Sequence, residues 1–182
     1  MSTDKIKVAF LDRDGVINKE VNYLYKVEDF EYTENCIDGL KNIKALGYEI
    51  IIVTNQAGIA RGYYTEVDYQ KLTDWYVADL KQHGIDILDV FYCPHHPDGK
   101  IERYTKSCEC RKPNSGMFDT AMQKYHINLD ESIMVGDKTT DLIAAKKIGI
   151  QQLYLVETGH QIMDNSYNEY TVKTSLFTLF QH

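Results

Sequence analysis

Carboxylate side chains follow two of the short apolar runs in this 182-residue chain. Asp12 and Asp14 come directly after the first run, and Asp137 and Asp141 come after a later one. Carboxylates held close together repel one another unless a cation neutralises them. Mg²⁺ prefers such oxygen ligands and keeps positions open for phosphate oxygens. An Asp at the end of a strand can attack phosphorus while a second one moves protons, so these residues indicate phosphoryl transfer.

Polar and basic residues that suit a phosphoryl group follow other runs. Thr54 comes after a second apolar run, and Arg111 and Lys112 come after a third. A hydroxyl with adjacent backbone N–H groups holds a phosphoryl oxygen, and the two cations balance its charge. Each feature alone has an ordinary structural explanation, such as a turn, a helix N-cap or a surface lysine. The combination, in this order, favours a site.

The chain contains a cluster of metal-binding residue types between its third apolar run and the basic pair. The cluster consists of Cys93, His95, Cys108 and Cys110. Three thiolates and one imidazole form the closed tetrahedral shell of structural zinc. A disulfide and four reduced residues without metal are the alternatives, although Cys108 and Cys110 are too close in sequence to bridge easily. Zinc would anchor the long loop over 93–110 and position the basic pair downstream.

Apolar and helical patterns alternate along the chain. Strands are predicted over 6–11, 48–53, 88–92, 132–135 and 152–156. Helices are predicted over 37–46, 65–83, 118–125 and 142–148, with a final helical turn over 175–180. This alternation predicts an α/β fold with a doubly wound parallel sheet and helices on both faces. Because ligands bind at the carboxyl ends of parallel strands, all the polar sets should meet at one edge.

Length and composition limit the classes of protein further. A length of 182 residues with 43% hydrophobic and 26% charged residues predicts one folded domain spanning 1–182. No apolar run is long enough for a membrane span, and no secretory signal is recognised, so a cytoplasmic location is expected. The net charge of −7 disfavours nucleic-acid binding. A small anionic substrate remains compatible with it.

Four segments of the chain resemble the motifs of the haloacid dehalogenase superfamily of phosphotransferases. They are residues 10–17, 53–56, 111–113 and 135–141. The resemblance implies a Rossmann-like fold of the haloacid dehalogenase type and a Mg²⁺-dependent phosphatase. The interval between the first two motifs is too short for an inserted cap domain, so a capless member is expected.

Three further segments indicate which branch of the superfamily the chain resembles. Residues 55–62, 93–97 and 108–113 resemble a branch that hydrolyses sugar bisphosphates, with a heptose bisphosphate as the expected substrate. The histidinol-phosphate phosphatases share much of this pattern and give the alternative substrate. The chain departs from the branch at Ala57, where Ser is more common, and in the stretch from Glu20 to Tyr23.

The resemblance assigns roles to individual residues. Asp12 matches the nucleophile, Asp14 the general acid and base, Thr54 the group that orients the phosphoryl, and Lys112 the charge-stabilising lysine. Asp141 is expected to orient Lys112 or Asp137 rather than bind metal. The implied Mg²⁺ ligands are Asp12, the backbone carbonyl of Asp14, and Asp137, and the implied Zn²⁺ ligands are Cys93, His95, Cys108 and Cys110. Substrate contacts are expected from Glu20, Tyr23, Asn55, Gln56, Arg61, Arg111 and Lys138.

Two classes without phosphatase activity compete with this interpretation. A signalling receiver domain uses a similar sheet, but its phosphoacceptor Asp follows the third strand, where this chain has Tyr92 and Cys93. A metal-binding interaction module would need only the Cys/His cluster. The expected partner is therefore a small phosphorylated sugar rather than nucleic acid or membrane, and the enzyme is expected to be a monomer.

Overall fold

The computed structural model, which describes residues 4–163 and 165–181, contains a six-stranded parallel sheet. The strands are β1 (Val8–Leu11), β2 (Glu49–Asn55), β3 (Asp89–Cys93), β4 (Ile133–Gly136), β5 (Gln152–Val156) and β6 (Thr171–Lys173). Their order in the sheet is β3-β2-β1-β4-β5-β6, and every neighbouring pair is parallel. The chain builds outward from β1 in one direction and then in the other. The direction reverses between β1 and β4, which creates a crevice at their carboxyl ends.

Six α-helices lie in the described parts of the chain. They are α1 (Cys36–Ala45), α2 (Ala57–Arg61), α3 (Glu66–Gln82), α4 (Gly116–Lys124), α5 (Thr139–Lys147) and α6 (Ser166–Glu169). A capping box formed by Thr65 and Asp68 starts α3, because each side chain satisfies a backbone N–H of the other residue. These N–H groups would otherwise lack a partner at the helix terminus.

The sheet is buried on both faces by different helices. Leu11 of β1 packs in one core cluster with Leu40 of α1 and Leu72 of α3. Its neighbour Phe10 points to the opposite face and packs with Phe118 of α4, at a ring-centroid distance of 5.0 Å. Consecutive strand residues face opposite sides, so both sides of β1 are apolar. Strand β1 is therefore fixed at the centre of the fold, and the crevice lies at its carboxyl end.

The structure confirms the predicted fold class and differs from the sequence prediction in its short elements. All five predicted strands and four predicted helices are present within a few residues of their expected bounds. The predictions missed β6, α2 and α6, which have three to five residues and are too short to show periodicity. Helix α5 begins at Thr139 rather than at Leu142, because its first turn is polar.

The connection from β1 to β2 has no room for a cap domain. Among the described residues it consists of a loop, a 3₁₀ turn at Val27–Asp29 and α1. The crevice is consequently bordered by loops of the same α/β unit. None of the helices in the described ranges is long and apolar enough to cross a membrane.

Substitution of Gly39 in α1 tests how closely this helix packs against the last 3₁₀ turn of the described residues. A Cβ at this residue would lie 2.7 Å from the carbonyl carbon of Leu176, in the 3₁₀ turn Leu176–Thr178. We expect Gly39→Ala to lower the free energy of unfolding by about 1–2 kcal/mol, since the clash exceeds the gain in helix propensity. Urea unfolding measures this change. Lys41→Ala, on the exposed side of the same helix, is the control; equal stability of the two variants would contradict the predicted clash.

Candidate active site

A cavity of about 380 Å³ lies at the carboxyl ends of β1, β2 and β4. The loop after each of these strands contributes to its walls, as the parallel topology requires. Of the predicted site residues, those lining it are Asp12, Asp14, Glu20, Tyr23, Asn55, Gln56, Arg61, Arg111, Lys112 and Lys138. Thr54 and Asp137 are buried next to these residues. The structure thus brings all the predicted catalytic and Mg²⁺-binding residues to one place.

The ammonium group of Lys112 lies between two carboxylates at the base of the cavity. Its Nζ is 3.0 Å from Oδ1 of Asp12 and 2.8 Å from Oδ1 of Asp141, and it donates to the carbonyl of Val53 at 2.7 Å. Burial alone would lower the pKa of Lys112, but the two carboxylates raise it above its usual value. Lys112 is therefore a fixed positive charge, and Asp141 orients it as predicted.

Asn55 holds the backbone of this lysine. Its side-chain amide donates to the carbonyl of Lys112 at 3.1 Å and accepts from the Lys112 N–H at 3.1 Å. Both polar ends of the amide are therefore engaged with the loop that carries the ammonium group. This positioning role is additional to the substrate contact predicted for Asn55.

Three carboxylates share the site with a single ammonium group. Oxygen atoms of Asp12, Asp137 and Asp141 lie within 4.8 Å of one another. Burial and the charge of Asp141 raise the pKa of Asp12 to about 6, although Lys112 opposes this shift. Burial and the charge of Asp12 also raise the pKa of Asp137, against the hydrogen bonds and charge of His160. The cluster would be relieved by a further positive charge.

One oxygen of Asp137 indicates where a further positive charge would bind. Among the described residues, its buried Oδ1 atom has no hydrogen-bond partner. Gly15, at φ +82°, approaches so closely that a Cβ there would lie 2.3 Å from Oδ2. An unpartnered buried carboxylate oxygen beside Asp12 matches the hard oxygen ligands of Mg²⁺. Asp12 and Asp137 are therefore suited to hold the ion, and the backbone carbonyl of Asp14 stays a predicted ligand.

His160 and Thr158 belong to the site but were missed by the sequence analysis. The His160 backbone N–H and Nδ1 both donate to Oδ2 of Asp137, at 3.0 Å and 2.5 Å. Thr158 donates through Oγ1 to the carbonyl of Gly15 at 2.7 Å. Both residues follow β5, so the rule applied to the other strands would have found them.

Gln56 connects the two halves of the site. Its Nε2 donates to Oδ2 of Asp14 at 3.1 Å and to Oγ1 of Thr54 at 2.8 Å. Tyr64 donates to the other end of the amide, Oε1, at 2.5 Å. Because the ionised Asp14 carboxylate only accepts hydrogen bonds, Gln56 must direct its N–H groups at Asp14 and Thr54 and its oxygen at Tyr64. Gln56 therefore positions both side chains, whereas its contact with substrate stays a prediction.

Three further basic side chains line the cavity. They are Arg61, Arg111 and Lys138, and His96 lies 3.4 Å from Nη2 of Arg61. Tyr23 lines the same cavity with an unusual φ of 62°, and its ring packs against that of Tyr63 at a centroid distance of 4.4 Å and an interplanar angle of 42°. These three cationic side chains suit an anionic group of a ligand at this part of the cavity.

The Cys/His cluster forms a second group of ligands close to this cavity. Ligand atoms of Cys93, His95, Cys108 and Cys110 lie within 4.8 Å of one another, and the three cysteines are free. The disulfide alternative is therefore wrong for this structure. His96 is not part of the cluster, because its Nδ1 accepts from the Asp98 N–H at 3.0 Å. Three sulfurs and one imidazole suit tetrahedral Zn²⁺.

The cluster leads directly into the basic pair. Arg111 follows Cys110 and donates to the carbonyl of His95 at 3.5 Å, and Asn114 donates to the carbonyl of Cys108 at 2.9 Å. These bonds tie both sides of the pair to the ligand loop. Loss of the cluster's order would therefore displace Arg111 at the cavity wall.

Comparisons with known proteins agree with this geometry. A family model described as HAD-hyrolase-like matches residues 109–171. A D-glycero-alpha-D-manno-heptose-1,7-bisphosphate 7-phosphatase of Photorhabdus laumondii is 59% identical over 179 residues, which is 98% of this chain and 97% of the relative. A D-glycero-beta-D-manno-heptose-1,7-bisphosphate 7-phosphatase of Escherichia coli O6:H1 is 40% identical over 163 residues, 90% of this chain and 86% of the relative.

A solved structure resembles the fold over nearly its whole length. It is the D,D-heptose 1,7-bisphosphate phosphatase of B. bronchiseptica, complexed with magnesium and phosphate. Its TM-score is 0.78 at 27% sequence identity, and the match covers 94% of each chain. The similarity therefore extends beyond the motifs to the arrangement of the sheet and its loops.

Substitution of a cluster cysteine tests the zinc assignment. We expect Cys108→Ser to lose most of its bound zinc and to raise KM for substrate about 10-fold, because Arg111 loses its anchor. Elemental analysis of the purified protein measures the metal, and steady-state kinetics measures KM. Cys36→Ala, in the core beside α1, is the control and should keep both values. Full zinc loss with unchanged KM would remove the positioning role.

Proposed function

Since the chain belongs to the heptose-1,7-bisphosphate 7-phosphatase family of haloacid dehalogenase-like hydrolases, and is a phosphoric monoester hydrolase, we propose that it removes the 7-phosphate of a D-glycero-D-manno-heptose 1,7-bisphosphate. The observation that carries the proposal is the convergence of Asp12, Asp14, Lys112 and Asp137 on one cavity with a cationic wall. That arrangement suits a substrate with two phosphates, of which one reacts while the other is bound.

The proposed reaction has two steps at Asp12. In the first, a carboxylate oxygen of Asp12 forms a bond to phosphorus, and the bond from phosphorus to the sugar oxygen breaks. Burial would raise the pKa of Asp14, but Arg13 lowers it below its usual value, so Asp14 must take up a proton from solvent as the substrate binds. It then gives that proton to the departing alkoxide. In the second step, Asp14 takes a proton from water and the water oxygen forms a bond to phosphorus. The bond between phosphorus and the Asp12 oxygen breaks, which frees the Asp12 carboxylate and releases inorganic phosphate.

Charge balance determines what the other groups do. Asp12 must be ionised to attack, and Lys112 favours the ionised form at 3.0 Å. Thr54, whose Oγ1 accepts from Gln56, would orient a phosphoryl oxygen. A bound Mg²⁺, held by Asp12, Asp137 and the backbone carbonyl of Asp14, would neutralise charge on the carboxylates and the phosphoryl group.

The α anomer is the favoured substrate form. The relative named for the α anomer is 59% identical, compared with 40% for the relative named for the β anomer. The two anomers differ at the carbon that bears the non-reacting phosphate. Discrimination would therefore lie in the cationic wall, where Arg61, Arg111 and Lys138 line the cavity, rather than at Asp12.

Histidinol phosphate is the alternative substrate that the motifs left open. It carries one phosphate and a cationic amine, which fits a wall of three basic side chains poorly.

We further propose that the product serves the synthesis of nucleotide-activated heptose, in the cytoplasm. The enzyme would act as a monomer with a single domain, Mg²⁺ and Zn²⁺ as its cofactors, and no nucleic-acid or membrane partner.

Replacement of the nucleophile tests the chemistry. We expect Asp12→Asn to reduce kcat about 1,000-fold or more, because the amide does not form the phosphorylated intermediate. Phosphate release from the heptose bisphosphate in the presence of Mg²⁺ measures the loss. Asp130→Asn, in the exposed 3₁₀ turn Leu129–Glu131, should retain wild-type activity. Retention of activity by Asp12→Asn would exclude this mechanism.

A comparison of three substrates tests the specificity. We expect kcat/KM to be highest for the α-heptose 1,7-bisphosphate, lower for the β anomer, and about 100-fold lower for histidinol phosphate, since the second phosphate contributes binding energy. Phosphate release with each substrate, at the same Mg²⁺ concentration, gives the ratios. An equal or larger value for histidinol phosphate would overturn the heptose assignment.

A further inference from the structure

Arg13 is a buried charged residue to which the proposed mechanism assigns no task. Its side chain is only 1% exposed. In sequence it lies between Asp12 and Asp14, the two carboxylates of the proposed reaction. Among the described residues, its Nη1 atom has no hydrogen-bond partner. Burial of a guanidinium group is costly unless its partners compensate. The contacts that Arg13 does make therefore indicate what it is retained for.

Both oxygens of Asp14 are held by donors from the protein. Oδ1 accepts from Nη2 of Arg13 at 2.8 Å, from its Nε at 3.3 Å and from Nδ2 of Asn18 at 3.0 Å. Oδ2 accepts from Nε2 of Gln56 at 3.1 Å. The guanidinium fork restricts the rotation of the carboxylate more than a point charge would. Arg13 thus provides two of the four bonds that define where Asp14 points.

The same guanidinium reaches the loop that carries expected sugar contacts. Nη2 of Arg13 donates to the carbonyl of Leu24 at 3.2 Å. Leu24 lies in loop 19–26, which places Glu20 and Tyr23 on the cavity wall. One charged group therefore joins the proton-transferring carboxylate to the sugar-binding loop.

A second route connects the same two parts from the other side. The ring of Tyr25, also in loop 19–26, stacks on Tyr64 at 5.4 Å, and Tyr64 donates to Gln56. Gln56 in turn donates to Oδ2 of Asp14. Each oxygen of Asp14 is thus linked to the loop by its own chain of contacts.

We propose that Arg13 is a positioning residue that holds Asp14 in the orientation for proton transfer and couples that orientation to loop 19–26. The inference rests on the proposed function, because it assumes that Asp14 moves the proton. In an enzyme without a cap domain, a loop must align the sugar with the acid. The Arg13 guanidinium performs this alignment by bonding to Asp14 and to the loop backbone at once. A rigid acid within hydrogen-bond reach of the leaving oxygen is what proton transfer requires.

The two steps of the reaction separate this role from a structural one. With p-nitrophenyl phosphate the leaving group needs no proton, so phosphorylation of Asp12 proceeds without a well-placed acid. Hydrolysis of the phosphorylated enzyme still requires Asp14 as base. We therefore expect Arg13→Met to show a burst of nitrophenol of about one equivalent, followed by slow turnover. A structural role would lower the burst and the turnover together, because it would reduce the active fraction.

The sugar substrate gives the second readout. For the heptose bisphosphate we expect kcat of Arg13→Met, per active site counted from the burst, to fall about 10- to 100-fold, with KM changed less than about 3-fold. Arg13→Lys retains the charge without the fork and should show a smaller fall. Arg103→Met, on the exposed turn Glu102–Tyr104, is the matched control and should behave as wild type.

A double-mutant cycle decides whether Arg13 acts through Asp14. Addition of Arg13→Met to Asp14→Asn should lower kcat no further, because the group that Arg13 positions is already gone. Fully additive losses would overturn the proposal, as would an Arg13→Met kcat within 3-fold of wild type. Failure of both Arg13 variants to fold would also overturn it in favour of a structural role. If the wild-type enzyme hydrolyses p-nitrophenyl phosphate but not the heptose bisphosphate, the proposed substrate is wrong. The double-mutant cycle is then still measured with p-nitrophenyl phosphate.

Discussion

The buried ammonium group of Lys112, shared by Asp12 and Asp141, is the constraint on which the site depends. Two carboxylates and a lysine form a compact cluster at the base of the cavity, with N···O distances of 2.8–3.0 Å. The pKa of Asp12 is nevertheless raised to about 6, since burial and Asp141 outweigh the single cation. The protein's own groups therefore neutralise these carboxylates incompletely, which is the electrostatic reason that the site fits a divalent ion and a phosphoryl group together.

The position of Lys112 is determined from several directions. Its backbone is bonded to Asn55 after β2, and its loop continues from the Cys/His cluster after β3. Asp12 comes from β1 and Asp141 from the first turn of α5. Segments far apart in the chain thus meet at one nitrogen atom. The loop of the Cys/His cluster and the central strands consequently contribute to the same charge arrangement, although the cluster lies outside the cavity.

The loops around Asp14 show how a capless unit can organise a substrate. Arg13 and Gln56 hold the carboxylate, and both connect to loop 19–26 through Leu24 or through Tyr64. In this arrangement the alignment of the acid is built into the same domain as the sheet. Both oxygens of Asp14 have defined donors, and this restricts the orientation of its carboxylate.

The sequence by itself determined the α/β class, the order of the main elements and the residues that meet at the sheet edge. These follow from hydrophobic periodicity and from the topology of parallel strands, which places residues after each strand together. Sequence analysis missed His160 and left Arg13 without a role. Their partners, Asp137 and Asp14, were already assigned, but hydrogen bonds depend on side-chain directions that no local pattern contains. Only the tertiary structure decided which atoms of these carboxylates are bonded, and that Oδ1 of Asp137 has no hydrogen-bond partner among the described residues.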